Sequence, residues 1–218
     1  HETVAVVVDL FGIRHAVANP RLAVAYGGAF IGRGDFAVVG TFFSLWLVQV
    51  GLEQGMSTGE ALRKAGPLFG LIQLCALIWA PIMGFITDRL NRMHAVILGL
   101  AIAGSGYLLM SQVADPFSSE IYPSMVLLGM GETGVIVSVA ALIGQEASVK
   151  YRGSIIGVFG TMGGVGILAT SLLGGQLFDS IGRTAPFVMM GLFNFVLLAV
   201  AVLVQRKHSM PAEKLESE

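Results

Sequence analysis

Residues 66–113 read GPLFGLIQLCALIWAPIMGFITDRLNRMHAVILGLAIAGSGYLLMSQV, two long apolar runs joined by the charged turn Asp88-Arg-Leu-Asn-Arg92. A helix needs roughly 20 mostly apolar residues to cross about 30 Å of hydrocarbon. Each run, 66–87 and 93–113, is therefore predicted to span a bilayer. Working outward, four more such runs lie at 22–50, 121–144, 153–177 and 184–204. Polar punctuation separates them: Gln54 to Lys64 is polar, Asp115 to Glu120 holds Pro116 and two serines, and Lys150 to Gly153 is basic. Lipid cannot satisfy an open sheet's backbone, and the runs lack the alternation of a barrel strand. The predicted fold class is an all-α membrane protein with six transmembrane helices, a half-domain over residues 21–205.

Composition agrees. The chain of 218 residues is 55% hydrophobic and 12% charged, where a soluble domain carries about 25% charged residues. A net charge of −1 leaves no basic excess to neutralise phosphates, which excludes nucleic acid as a partner. Cys75, the single cysteine, sits in an apolar run, so neither an intrachain disulfide nor a CxxC metal or redox site is possible. No cofactor or metal is predicted. His1 to Pro20 has no basic stretch leading into an apolar one and does not read as a signal peptide. Residues 1–20 are expected to connect to a longer chain, and 206–218 to form a solvated tail.

Lysine and arginine placement sets the expected orientation. One set of ends holds Arg14, Arg21, Arg89, Arg92, Lys150, Arg152, Arg206, Lys207 and Lys214; the other holds Arg63, Lys64 and Arg183. Both termini are expected to be cytoplasmic in a multi-pass protein of the cell membrane, and an even helix count agrees in putting them on one side.

The junction Gly84-Phe-Ile-Thr-Asp88-Arg89-Leu-Asn-Arg92 has a counterpart in Gly175-Gln-Leu-Phe-Asp179-Ser-Ile-Gly182-Arg183. Glycine, aspartate and arginine recur at the same offsets on opposite sides of the membrane, which predicts two inverted three-helix repeats; helix ends that merely favour these residues are the plainer explanation. The first junction resembles the Gly-x-x-x-Asp-Arg-x-Gly-Arg signature of major facilitator transporters, with Asn91 in place of the glycine. Asparagine is expected to hold a positive φ there. The resemblance implies a cytoplasmic latch made by Asp88, Arg89 and Arg92, against the simpler reading of a basic loop that fixes topology. It also implies a second six-helix half from the same full-length chain. In the family the fourth helix of an N-terminal half often carries an arginine, and its absence here favours the C-terminal half, while the glycine pattern of the fifth helix, best known from N-terminal halves, points the other way.

In the fifth predicted helix, Gly157, Gly166, Thr170, Ser171 and Gly174-Gly175 resemble the family's antiporter pattern without its proline. Gly153, Gly157, Gly160 and Gly164 lie at helical spacing, so this set with Gly166 and Gly174 is expected to let a helix pack closely, with hinge motion as a secondary use.

Three ionisable residues fall inside predicted spans: Arg33, Asp35 and Glu132. Each costs about 2.5–3.5 kcal/mol at a helix centre and so should face a partner or a water-filled cavity. Arg33 and Asp35 are about 200° apart around a helix, so one should face the cavity and the other a neighbouring helix. Gly131 and Gly134 flank Glu132 and are expected to leave room for water or solute. Glu132 is either a coupling group or an ion-pair partner of Arg33. Gln49, Gln73, Ser138, Gln145, Glu146 and Asn194 are expected mostly to bond between helices, and Trp46 and Trp79 to anchor at the interface, wall a cavity or pack.

These readings converge on a secondary transporter moving a small solute by alternating access, with proton coupling admitted through Asp35 or Glu132. The alternative is a non-transporting scaffold or assembly module that kept the helices. An enzyme is not expected, since neither HExxH nor a paired nucleophile and base is present. Cysteines placed at Ser57 and Ser118 should react with an impermeant thiol reagent from outside intact cells, and one at Ser209 should not; the reverse labelling would invert the orientation.

Overall fold

The computed structural model describes residues 19–208, so most of the segments 1–20 and 206–218 lies outside the described residues. Among the described residues six helices are long and apolar enough to cross a membrane. They are α1 (Pro20–Glu53), α2 (Thr58–Arg89), α3 (Arg92–Gln112), α4 (Tyr122–Glu146), α5 (Arg152–Ser180) and α6 (Ala185–His208). No strand occurs among the described residues.

The helices outrun the predicted spans because polar separators are recruited into helical ends. Gln54 to Lys64 is mostly the first turns of α2: Ser57 Oγ accepts from the Glu60 amide and the Glu60 carboxylate accepts from the Ser57 amide. This capping box satisfies amides that a helix start leaves free. Gly55-Met-Ser57-Thr-Gly59 has the Gly-x-Ser-x-Gly spacing of a hydrolase nucleophile turn, and here Ser57 is a helix N-cap instead. Lys150 and Arg152 lie in a short 3-10 turn and the beginning of α5, and α6 continues past residue 205.

Packing follows the repeat. α1 packs on α5 and α6, α4 packs on α2 and α3, α1 meets α4, and α3 meets α6. Exchanging α1 with α4, α2 with α5 and α3 with α6 leaves this pattern unchanged, as an inverted 3+3 repeat requires. In lipid, helices associate through close van der Waals fit, which small residues permit. A Cβ on Gly131 of α4 would lie 2.3 Å from Ala103 Cα of α3, and one on Gly166 of α5 would lie 2.1 Å from the Phe30 carbonyl oxygen of α1.

Two glycine expectations change here. Gly131 and Gly134 leave no room beside Glu132, because α3 occupies it: Gly134 faces Gly99. Gly157, Gly160 and Gly164 meet nothing within 4 Å among the described residues, whereas Gly166 and Gly174 are closely packed, the latter against Phe42. Helical spacing put the first three on one face, and that face is open.

Over-packing a tight contact costs about 1–3 kcal/mol. Gly166→Ala should therefore lower the thermal midpoint of the detergent-solubilised protein clearly, and Gly157→Ala should not; equal effects would contradict the packing.

Candidate functional site

α1 carries a five-residue π-helical segment, Val39–Phe43, one turn after Asp35. Asp35 is fully buried and its carboxylate accepts from Asn194 Nδ2 of α6 at 3.0 and 3.2 Å. The same amide donates to the Met190 carbonyl at 3.0 Å, while Asn194 Oδ1 is buried without a partner. Tyr107 of α3 stacks on Phe187, and its hydroxyl lies 3.0 Å from Glu132 Oε1 of α4 and 2.9 Å from the Asp35 backbone carbonyl. Glu132 is 4% exposed. Two carboxyl groups, a phenol and an amide, one from each of four helices, thus form a closed polar cluster inside the bundle. Among the described residues no ion pair reaches either acid.

Arg33 lies on the other side of α1. It is exposed and lines a groove of about 450 Å³ between α1, α4 and α5. The helical offset separated Arg33 from Asp35 as expected, with Asp35 against a neighbouring helix. The Arg33–Glu132 ion pair is not formed: the partner of Glu132 is Tyr107.

At the basic end, Asn91 caps α3 with φ −60°, its side chain accepting from the Met93 amide. The expected positive φ is absent, because a helix N-cap takes extended backbone. Gly182, at the equivalent place in the second turn, does have a positive φ of 148°. Arg92 donates to the Ala141 carbonyl near the end of α4 (3.3 Å), and Arg183 donates to both carboxylate oxygens of Glu53 at the end of α1. That hydrogen bond raises the pKa of Arg183. The two arginines thus reach equivalent helix ends under the repeat. Asp88, Arg89 and Asp179 are exposed, and Arg89 lies over the Phe85 ring at 4.5 Å. Gly84 and Gly175 have open space around them.

Sequence reasoning missed Tyr107 as a site residue and ranked Asn194 low. A phenol or amide deep in an apolar span needs a hydrogen-bond partner, and that was the available signal. It also left out the pair of Arg21 with Glu146 at 3.3 Å, which Asn19 joins at 2.8 Å. Ser138 bonds within its own helix instead of across helices, and Trp46 is buried against Phe43 and Phe187.

The profile of the Major Facilitator Superfamily matches residues 10–218. The chain belongs to the major facilitator superfamily. It is 29% identical to the magnetosome protein MamH of Paramagnetospirillum magneticum over 88% of this chain and 44% of MamH. It is 30% identical to the magnetosome protein MamZ of Magnetospirillum gryphiswaldense over 80% of this chain and 27% of MamZ. The class B tetracycline resistance protein of Escherichia coli is 29% identical over 77% of this chain and 41% of that protein. This superfamily chain spans less than half the length of each of these relatives.

Tyr107→Phe keeps the ring on Phe187 and removes the hydroxyl. It should cost about 1–3 kcal/mol by leaving buried Glu132 Oε1 without its donor, read as a lower unfolding midpoint in detergent; an unchanged midpoint would mean the hydroxyl does not hold Glu132.

Proposed function

We propose that the chain is the C-terminal six-helix half of a secondary transporter, which with a second six-helix half moves a small solute across the cell membrane by alternating access, driven by protons through Asp35 and Glu132. The observation that carries this reading is the position of the Tyr107 hydroxyl between two acceptors, Glu132 Oε1 and the Asp35 carbonyl. A hydroxyl has one proton to donate. With Glu132 ionised, that proton can serve only one of the two at a time, and the Asp35 carbonyl already accepts from the Val39 amide. With Glu132 protonated, its O–H donates to the Tyr107 oxygen and Tyr107 donates to the Asp35 carbonyl, so the chain of bonds closes.

A proton held while the bundle is packed, and released when water reaches the cluster, can couple to the motion of α1 and α4. Both helices belong to this cluster and to the groove that holds Arg33. The turn residues Asp88, Arg89 and Arg92 serve as the latch at the cytoplasmic end, where Arg92 already ties the turn to α4. The excess of lysine and arginine at one set of ends supports both termini lying in the cytoplasm.

The likeness to MamH and MamZ favours a second reading, a magnetosome component that uses the six helices as an assembly module without moving solute. One experiment separates the two. In vesicles containing the complete transporter, Glu132→Gln should abolish solute accumulation under an imposed pH gradient and preserve passive exchange, since glutamine keeps hydrogen bonding and loses titration. Full accumulation with ordinary pH dependence would end the coupling role, and absence of any solute movement by the natural protein would favour the module.

A further inference from the structure

Arg33 is the one charged side chain among those lining the groove between α1, α4 and α5. Its stem lies against α5, where a Cβ on Gly163 would come within 2.8 Å of Arg33 Cγ. Beside it, Gly160 and Gly164 of α5 form an open floor with nothing within 4 Å, and Ile136 and Phe159 supply apolar walls. Arg33 is about 20 Å along α1 from Pro20, at 1.5 Å per residue, which is hydrocarbon depth.

A guanidinium stays charged at any physiological pH. At this depth it faces protein or a water-filled cavity and not lipid, so the groove belongs to the face turned toward the second half. No carboxylate pairs with Arg33 among the described residues. The two acids of the neighbouring cluster lie across α1, bonded to Tyr107 and Asn194. The groove therefore offers one unneutralised cation, an uncovered stretch of α5 at Gly160 and Gly164, and apolar walls.

We propose that this groove seats the solute and that the solute is an organic anion with a flat apolar body. Its anionic group sits on the Arg33 guanidinium through charge-assisted hydrogen bonds, and its body lies on Gly160 and Gly164 between Ile136 and Phe159. That the bound molecule is carried across the membrane rests on the transport reading above; that it binds here does not. The groove and the acid cluster share α1 and α4, so anion and proton occupy separate pockets on opposite faces of the same helix.

The test is equilibrium binding to the full-length protein in lipid nanodiscs, with naphthalene-2-sulfonate as the probe. Neutral 2-naphthol and naphthalen-2-ylmethylammonium are the matched controls, and thermal unfolding is followed for each variant. Saturable binding of the sulfonate at least about tenfold tighter than that of the naphthol is expected, with the ammonium weakest. Arg33→Gln should reduce sulfonate affinity to the level of the naphthol, and Arg33→Lys should keep the sulfonate ahead. Absence of saturable sulfonate binding, equal affinity for the three probes, or undiminished binding in Arg33→Gln overturns the proposal. If Arg33→Gln fails to fold, Arg33→Lys decides: sulfonate preference upholds the site, and its loss in a folded variant assigns Arg33 to a carboxylate of the second half. Sulfonate binding that depends on Arg33, together with unaltered pH-driven accumulation in Glu132→Gln, would remove the coupling role and leave this site standing.

Discussion

Two carboxyl groups, Asp35 and Glu132, sit where neither water nor a cation of the described chain reaches them, and the bundle is arranged around supplying them with donors. Asn194 comes from α6 and Tyr107 from α3, while the acids come from α1 and α4. These are the helices that meet across the repeat, α1 with α4 and α3 with α6. An unserved carboxylate in the interior costs several kcal/mol, so a polar cluster at this crossing ties all four helices to one relative placement. The close fits of Gly131 on Ala103 (α4 on α3), Gly28 on Val139 (α1 on α4) and Gly104 on Phe195 (α3 on α6) hold the same helices near enough for the bonds to form.

The open surface has a different character. α5 keeps Gly157, Gly160 and Gly164 uncovered, and Arg33 stands exposed at hydrocarbon depth on the adjoining side of α1. A surface of this kind is incompatible with lipid alone, and it fits a half-domain whose relatives are more than twice as long as the matched region. Charged groups are thus divided between a sealed interior, which is acidic, and an open groove, which is basic, with the backbone of α1 between them.

Much of the fold was legible in sequence because the bilayer imposes length: six apolar runs had to be six helices, and the matching turns at Asp88 and Asp179 marked the repeat. The angle between Arg33 and Asp35 followed from helix geometry alone. What lay opposite each residue was not legible. Glycine beside Glu132 could mean room for solute or room for a helix, and only the position of α3 decides for the helix. Tyr107 lies in a run that reads as uniformly apolar, and its hydroxyl becomes significant once α4 brings Glu132 to it. Asn91 showed how a residue suited to positive φ also suits an N-cap, a choice set by where α3 begins. The coupling of Arg183 to Glu53 joins positions far apart in the chain, so spacing could not reveal it.

On the proposed transport reading, the buried cluster holds a proton that is given up when water enters. Infrared difference spectroscopy of the full-length protein in bilayers, between acidic and alkaline pH, reads that proton directly. A protonated-carboxyl stretching band is expected at acidic pH, fading as pH rises and missing in Glu132→Gln. A band of undiminished size in both Glu132→Gln and Asp35→Asn, or no titrating carboxyl in the natural protein, would contradict it.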